Sequence, residues 1–198
     1  MGRRTSVGVL ACALLVPALL AGCAEKHEAS TTLPPTTTAA AASSSSAAAL
    51  PAVGPADFPV PAEARERTAA GVQAFTRYYV ALVNHQAEKL DPQPLRELSR
   101  KCQTCEELAQ SLEHTRDAGH HYRGGDLTVS GMGSALVAED HGETSFVLDE
   151  TPTSVVDGTG KTVEVRTSTE KRFTGGAGLT WDGERSTWLM VQLDMDPI

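Results

Sequence analysis

Residues 63–88 read EARERTAAGVQAFTRYYVALVNHQAE. Val72, Phe75, Tyr79, Leu82, Val83 and Gln86 recur at the three- and four-residue spacing of one helix face. Arg65, Glu66, Arg67, Arg77 and Glu88 fall mostly off that stripe. The spacing predicts a helix over 63–88. Gly71 within it costs about 1 kcal/mol relative to alanine, which implies close packing at that point. Asp91-Pro92 ends the helix, because a residue before proline avoids the helical region. Pro94 suits the first position of a short helix over 94–99. A third helix is expected from Thr104, where Thr104 and Glu107 have capping-box spacing. Leu108 and Leu112 give its apolar side, and it stops before Gly119.

Past Gly124-Gly125 the periodicity changes from helical to alternating. Residues 127–129 start a strand that continues or restarts over 134–138, with Gly131 and Gly133 marking a bulge or bend. Residues 144–149 alternate, with Phe146 and Leu148 on one face. Val155-Val156 and residues 161–167 flank Asp157-Gly158-Thr159-Gly160, a hairpin signal. Residues 173–181 and 185–193 form the last hairpin around Asp182-Gly183. Leu189, Val191 and Leu193 face one way in it; Trp188, Met190 and Gln192 face the other. Helices followed by an antiparallel meander make an α+β fold. A long helix, smaller helices and a bent sheet suggest the NTF2-like (nuclear transport factor 2-like) cone, with a cystatin-like helix on a sheet as the alternative.

Ahead of the helices the chain has a different character. All nine aromatic residues lie at or after Phe58, so the first third cannot build a core. Arg3 and Arg4 precede an apolar run over 7–20, shorter than the ~20 residues that span a bilayer. Leu20-Ala21-Gly22-Cys23 follows and resembles a bacterial lipobox. The resemblance implies that 1–22 is a signal peptide and that the Cys23 thiol carries a diacylglyceryl anchor. Two acyl chains suffice for stable membrane attachment, which places the protein on the outer face of the cytoplasmic membrane. Residues 29–56 contain no charge and no aromatic, and are almost all Ala, Ser, Thr or Pro. Such a segment cannot offset its ordering entropy, so 23–60 reads as a disordered stalk. Its mean span is roughly 35 Å. The folded domain is then 61–198. The formal net charge of −8 argues against nucleic acid as a partner.

The first half of that domain resembles a family of secreted lipoproteins of high-GC Gram-positive bacteria, catalogued as a domain of unknown function. The matching residues are Pro61-x-x-Ala64, Thr68-x-x-Gly71, Ala74-Phe75-x-x-Tyr78-Tyr79 and Leu82-x-Asn84. Asp91-Pro92-x-x-Leu95-x-x-Leu98-Ser99, Cys102-x-x-Cys105 and Tyr122-x-Gly124-Gly125 complete the set. The resemblance implies location and fold. It attaches no activity and carries over no catalytic residue.

Cys102-Gln103-Thr104-Cys105 is the sharpest local motif. It reads as a short structural disulfide, or as a thiol-redox pair whose Cys105 sits in the first turn of a helix. A zinc site would need a second such pair. His114, His120 and His121 cluster in sequence, but no two share a helical face, so no metal or other cofactor is assigned. Tyr78, Tyr79, Tyr122, Trp181 and Trp188 are the candidate walls of a small-molecule pocket, being large side chains with one polar end. No catalytic set can be assembled. Three readings of function stand side by side: a non-enzymatic binder of a small ligand or wall component, a protein-interaction module of a membrane or wall complex, and a thiol-redox or cavity enzyme.

Overall fold

The computed structural model describes residues 51–198. The expected signal peptide, the expected lipidation site Cys23 and the expected stalk up to residue 50 lie outside the described residues. Packed structure begins before Pro61. Val53 and Val60 are buried in the core, and the Val60 amide donates to the Val53 carbonyl at 2.8 Å. Phe58 stacks on Tyr78 and His85, with ring centroids 5.4 and 4.6 Å apart. Three apolar side chains spaced among Pro, Gly and Asp give no periodicity, so the sequence presents them as stalk.

The long helix is two elements. A single 3-10 turn, Ala62–Arg65, is followed by α1, Ala69–Lys89. Thr68 caps α1 by accepting from the Gly71 amide at 3.0 Å. The break is imposed by tertiary bonds. Arg65 donates to the carbonyls of Ser186 and Arg185, and the Glu66 carbonyl is taken by the Trp188 indole. α1 ends at Leu90, in the left-handed region at φ 55°. The predicted face is buried in full: Val72, Phe75, Tyr79, Leu82, Val83 and Gln86 all lie in the interior.

α2 is Gln93–Glu97; it opens on Gln93, one residue before Pro94, and the Asp91 carboxylate accepts from the Gln93 amide at 3.1 Å. α3 is Gln103–Asp117. Its cap is Cys102 rather than Thr104: the Cys102 sulfur accepts from the Cys105 amide at 3.2 Å.

Eight strands follow: β1 His121–Gly124, β2 Leu127–Met132, β3 Leu136–Ala138, β4 His141–Glu150, β5 Thr153–Val156, β6 Thr162–Thr167, β7 Lys171–Asp182 and β8 Thr187–Pro197. They do not form one meander. β2, β4, β7 and β8 pair antiparallel in that order, with β3 beside the start of β4. β5 and β6 form the expected hairpin, but it leaves this sheet and joins β1 in a second one, β1-β5-β6. The departure follows Thr151-Pro152, where proline lacks a ladder donor. The Thr151 hydroxyl accepts from the amides of Gly125 and Asp126. A Cβ on Gly124, at φ 70°, would stand 2.1 Å from the Pro152 carbonyl oxygen, so only glycine fits the crossing.

Two bulges curve the larger sheet. Ser130 is the extra residue between Val129 and Gly131, and Val191 the extra residue opposite Gly178-Leu179. The second interrupts the alternation expected for β8: Trp188, Leu189, Met190 and Leu193 are all buried, and Val191 is only half-buried. The buried face of α1 shares one core with Phe146, Leu148, Leu179, Trp188 and Met190. Helices followed by a curved antiparallel sheet are thus the fold.

Candidate functional site

The core does not close completely. Between α1, α3, β2, β7 and β8 lies a cavity of about 220 Å³. Its walls include Val83 from α1, Leu95 from α2, Leu108 and Leu112 from α3, Phe173 from β7 and Met195 from β8. Leu108 and Leu112 are one helical turn apart, so both project from the same side of α3. Other hollows are larger; those of about 440 and 570 Å³ are lined by residues such as Ser134 and Glu143, or Asp149 and Arg172. Their linings mix polar and apolar surface in about equal measure. Apolar lining with a few converging polar groups distinguishes the smaller cavity.

Polar groups gather on its lining. Ser111 and Thr115, a turn apart on α3, meet Tyr122 of β1. The Tyr122 hydroxyl is 2.8 Å from that of Ser111 and 2.9 Å from that of Thr115. Arg166 reaches this group from β6. Its Nη1 donates to the Ser111 hydroxyl at 3.0 Å and to the Tyr122 hydroxyl at 3.3 Å. Its guanidinium carbon lies 5.1 Å from the centre of the Tyr122 ring, a cation–π contact. The strand register brings it there. Thr153 pairs with Thr167 and Ser154 with Val165, which leaves Arg166 as the extra residue of a bulge. A bulge re-aims the side chain it carries. Glu150 also lines the cavity; its carboxylate accepts from the Thr153 hydroxyl at 2.8 Å.

Of the five aromatic residues expected to wall a pocket, Tyr122 alone lines this cavity. The other four are corrected to core and edge positions. Tyr79 and Trp188 are wholly buried, and Tyr78 nearly so. Each polar end is bonded to backbone: Tyr78 to the Phe58 carbonyl at 2.8 Å, Tyr79 to the Leu95 carbonyl at 3.1 Å, Trp188 to the Glu66 carbonyl at 2.8 Å. Burial pushes both tyrosine hydroxyls well above their usual titration range. Trp181, half-buried, meets Trp188 edge-on at 5.1 Å. Ser111, Thr115 and Arg166 were not singled out from the sequence. Helical spacing places the two hydroxyls beside the apolar side of α3, since Ser111 stands three residues from Leu108, Thr115 three from Leu112, and the two are four apart. Arg166 has no such signal, because the bulge overrides strand alternation.

Cys102 and Cys105 form a disulfide, and the two residues are 5% and 1% exposed. His85 stacks on Phe58 with its Nε2 3.4 Å from an Asp57 carboxylate oxygen. Lys89 also pairs with Asp57, and this hydrogen bond leads the effects that hold the Asp57 carboxyl below its usual range. Among the described residues, no three His, Cys, Asp or Glu side chains converge as metal ligands. No described helix is long and apolar enough to cross a membrane.

A family described as "Family of unknown function (DUF6318)" matches residues 55–194. No curated protein matches the chain. Among solved structures, the chain is similar to the intermembrane space region of the chloroplast protein ARC6, at 13% identity over 64% of this chain and 97% of that one, TM-score 0.45. It is also similar to an NTF2-like superfamily protein from Salmonella enterica, at 10% identity over 66% and 93%, TM-score 0.43. A protein of unknown function with a cystatin-like fold from Nostoc punctiforme is similar at 10% identity over 63% and 92%, TM-score 0.29.

Proposed function

We propose that this chain, which belongs to the family of unknown function DUF6318, is a lipid-anchored protein of the outer face of the cytoplasmic membrane whose domain binds a small ligand. The observation that carries the binding reading is the 220 Å³ cavity, apolar in its walls and polar at one group of residues. That division suits a small molecule with an apolar body and one polar end. Binding rather than turnover is favoured by the polar group itself, whose hydroxyls are engaged with one another and with Arg166. The anchor reading rests on Leu20-Ala21-Gly22-Cys23 and the apolar run before it. The buried Cys102–Cys105 bond supports a structural role for that pair over a redox one.

The test compares native and denaturing masses of the protein secreted by a bacterial host. A small mass present under native conditions and lost on denaturation is expected. Equal masses, with no binding of apolar probes added afterwards, would overturn the reading. Separately, incorporation of labelled palmitate should be abolished in Cys23→Ala; label retained in that variant would overturn the anchor.

A second reading, a module for a protein partner, draws on the β5–β6 hairpin. Val163 and Val165 of its edge strand are 48% and 62% exposed, and exposed edge strands are templates for pairing. Crosslinking in cells through residue 163 should then yield one dominant partner.

A further inference from the structure

We propose that the ligand is a monocarboxylate with an aliphatic tail, its carboxylate read by Arg166; this rests on the cavity being the ligand site. The aliphatic tail follows from the lining. Val83, Leu95, Leu108, Leu112, Phe173 and Met195 offer such a tail no polar partner.

The head group follows from the polar lining. Arg166 is the cation there, and its Nη1 partners are the hydroxyls of Ser111 and Tyr122. Hydroxyls position a guanidinium without neutralising it. The planar donor fork of arginine matches a carboxylate with two parallel hydrogen bonds. The nearest acidic oxygen belongs to Glu164, an exposed side chain 3.5 Å from Nε. That distance is too long for a hydrogen bond, so an entering carboxylate has donors to win. Glu150 lines the same cavity. Its negative charge repels any anion, and a phosphate dianion about twice as strongly as a monocarboxylate. The bulge at Arg166 gives the arrangement its purpose: without the extra residue, strand alternation would not hold this side chain over Tyr122.

The experiment is calorimetric titration of the purified protein with octanoate, 1-octanol and octyl phosphate. Octanoate has seven carbons beyond its carboxyl, and the other two keep the tail while changing the head. Octanoate should bind at least about tenfold more tightly than 1-octanol, the scale of one hydrogen bond to a charged group, and more tightly than octyl phosphate. Arg166→Gln should bring the octanoate-to-octanol ratio close to one, and Arg166→Lys should retain part of it. The wild-type ratio decides the matter even if Arg166→Gln does not fold. Equal binding of octanoate and 1-octanol would overturn the anion reading and leave the cavity reading intact. Tighter binding of octyl phosphate would overturn the carboxylate. No binding of any probe would overturn this inference together with the cavity reading beneath it.

Discussion

The indole nitrogen of Trp188 donates to the carbonyl oxygen of Glu66 at 2.8 Å, across 122 residues of sequence. This bond joins β8 to the break before α1. Trp188 is wholly buried, so its indole donor has no water to turn to. Trp188→Phe keeps an aromatic ring but removes the donor. We expect a loss of about 0.5–1.5 kcal/mol in chemical denaturation from the hydrogen bond, with a further loss from the smaller ring. A change under half a kcal/mol would contradict the role given to this bond.

The same carbonyl explains Gly71. A Cβ built there would lie 1.9 Å from the Glu66 oxygen. Helix propensity alone makes Gly71→Ala stabilising by about 1 kcal/mol. The structure reverses the sign: the clash should cost about 1–3 kcal/mol, the usual penalty of overpacking. Equilibrium denaturation of the variant checks the direction.

The Cys102–Cys105 bond closes a loop of four residues, and loop-closure entropy for that length gives about 2 kcal/mol. Because the Cys102 sulfur also caps α3, the replacement matters. Serine is a good cap and alanine a poor one, a difference of about 1 kcal/mol. The Ser/Ser double variant should therefore melt higher than the Ala/Ala variant, and both lower than the wild type. Equal melting of the two variants would contradict the capping role.

Arg96 clamps α2 to α3. Its guanidinium donates to the carboxylates of Glu106 and Glu113 at 2.8 to 3.1 Å. These hydrogen bonds hold both carboxyls below their usual range. A depressed carboxyl contributes stability above its unfolded-state value and loses it as pH falls through the folded value. The difference in stability between wild type and Arg96→Gln should thus be constant near neutrality and shrink below about pH 5. Both carboxylates are partly exposed, so the difference is small and falls further in high salt. Urea titrations across pH test this; a difference that grows on acidification would contradict it.

The parts of the fold legible in the sequence are those set by local pattern. The α1 stripe from Val72 to Gln86 follows from helical spacing alone, and Asp157-Gly158-Thr159-Gly160 marks its hairpin without tertiary information. The break at Glu66 is made by Arg65 and Trp188 partners far along the chain, so the local pattern runs straight through it. The hairpin signal likewise carries no statement of which strand lies beside it, and β5 pairs with β1 rather than with β4. At the site, Tyr122 was legible as an amphipathic aromatic. Tyr78, Tyr79 and Trp188 carry the same signature but spend their polar ends on backbone carbonyls. Arg166 depends on a bulge, and bulges are not visible in alternation.

The cavity as a ligand site is most directly tested by methyl-labelled nuclear magnetic resonance of the protein titrated with 1-octanol. The account predicts saturable shifts of the Val83, Leu95, Leu108, Leu112 and Leu127 methyls, which line the cavity, and none at the exposed Leu136, Val163 and Val165. Shifts confined to the exposed methyls, or no shifts at all, would contradict it.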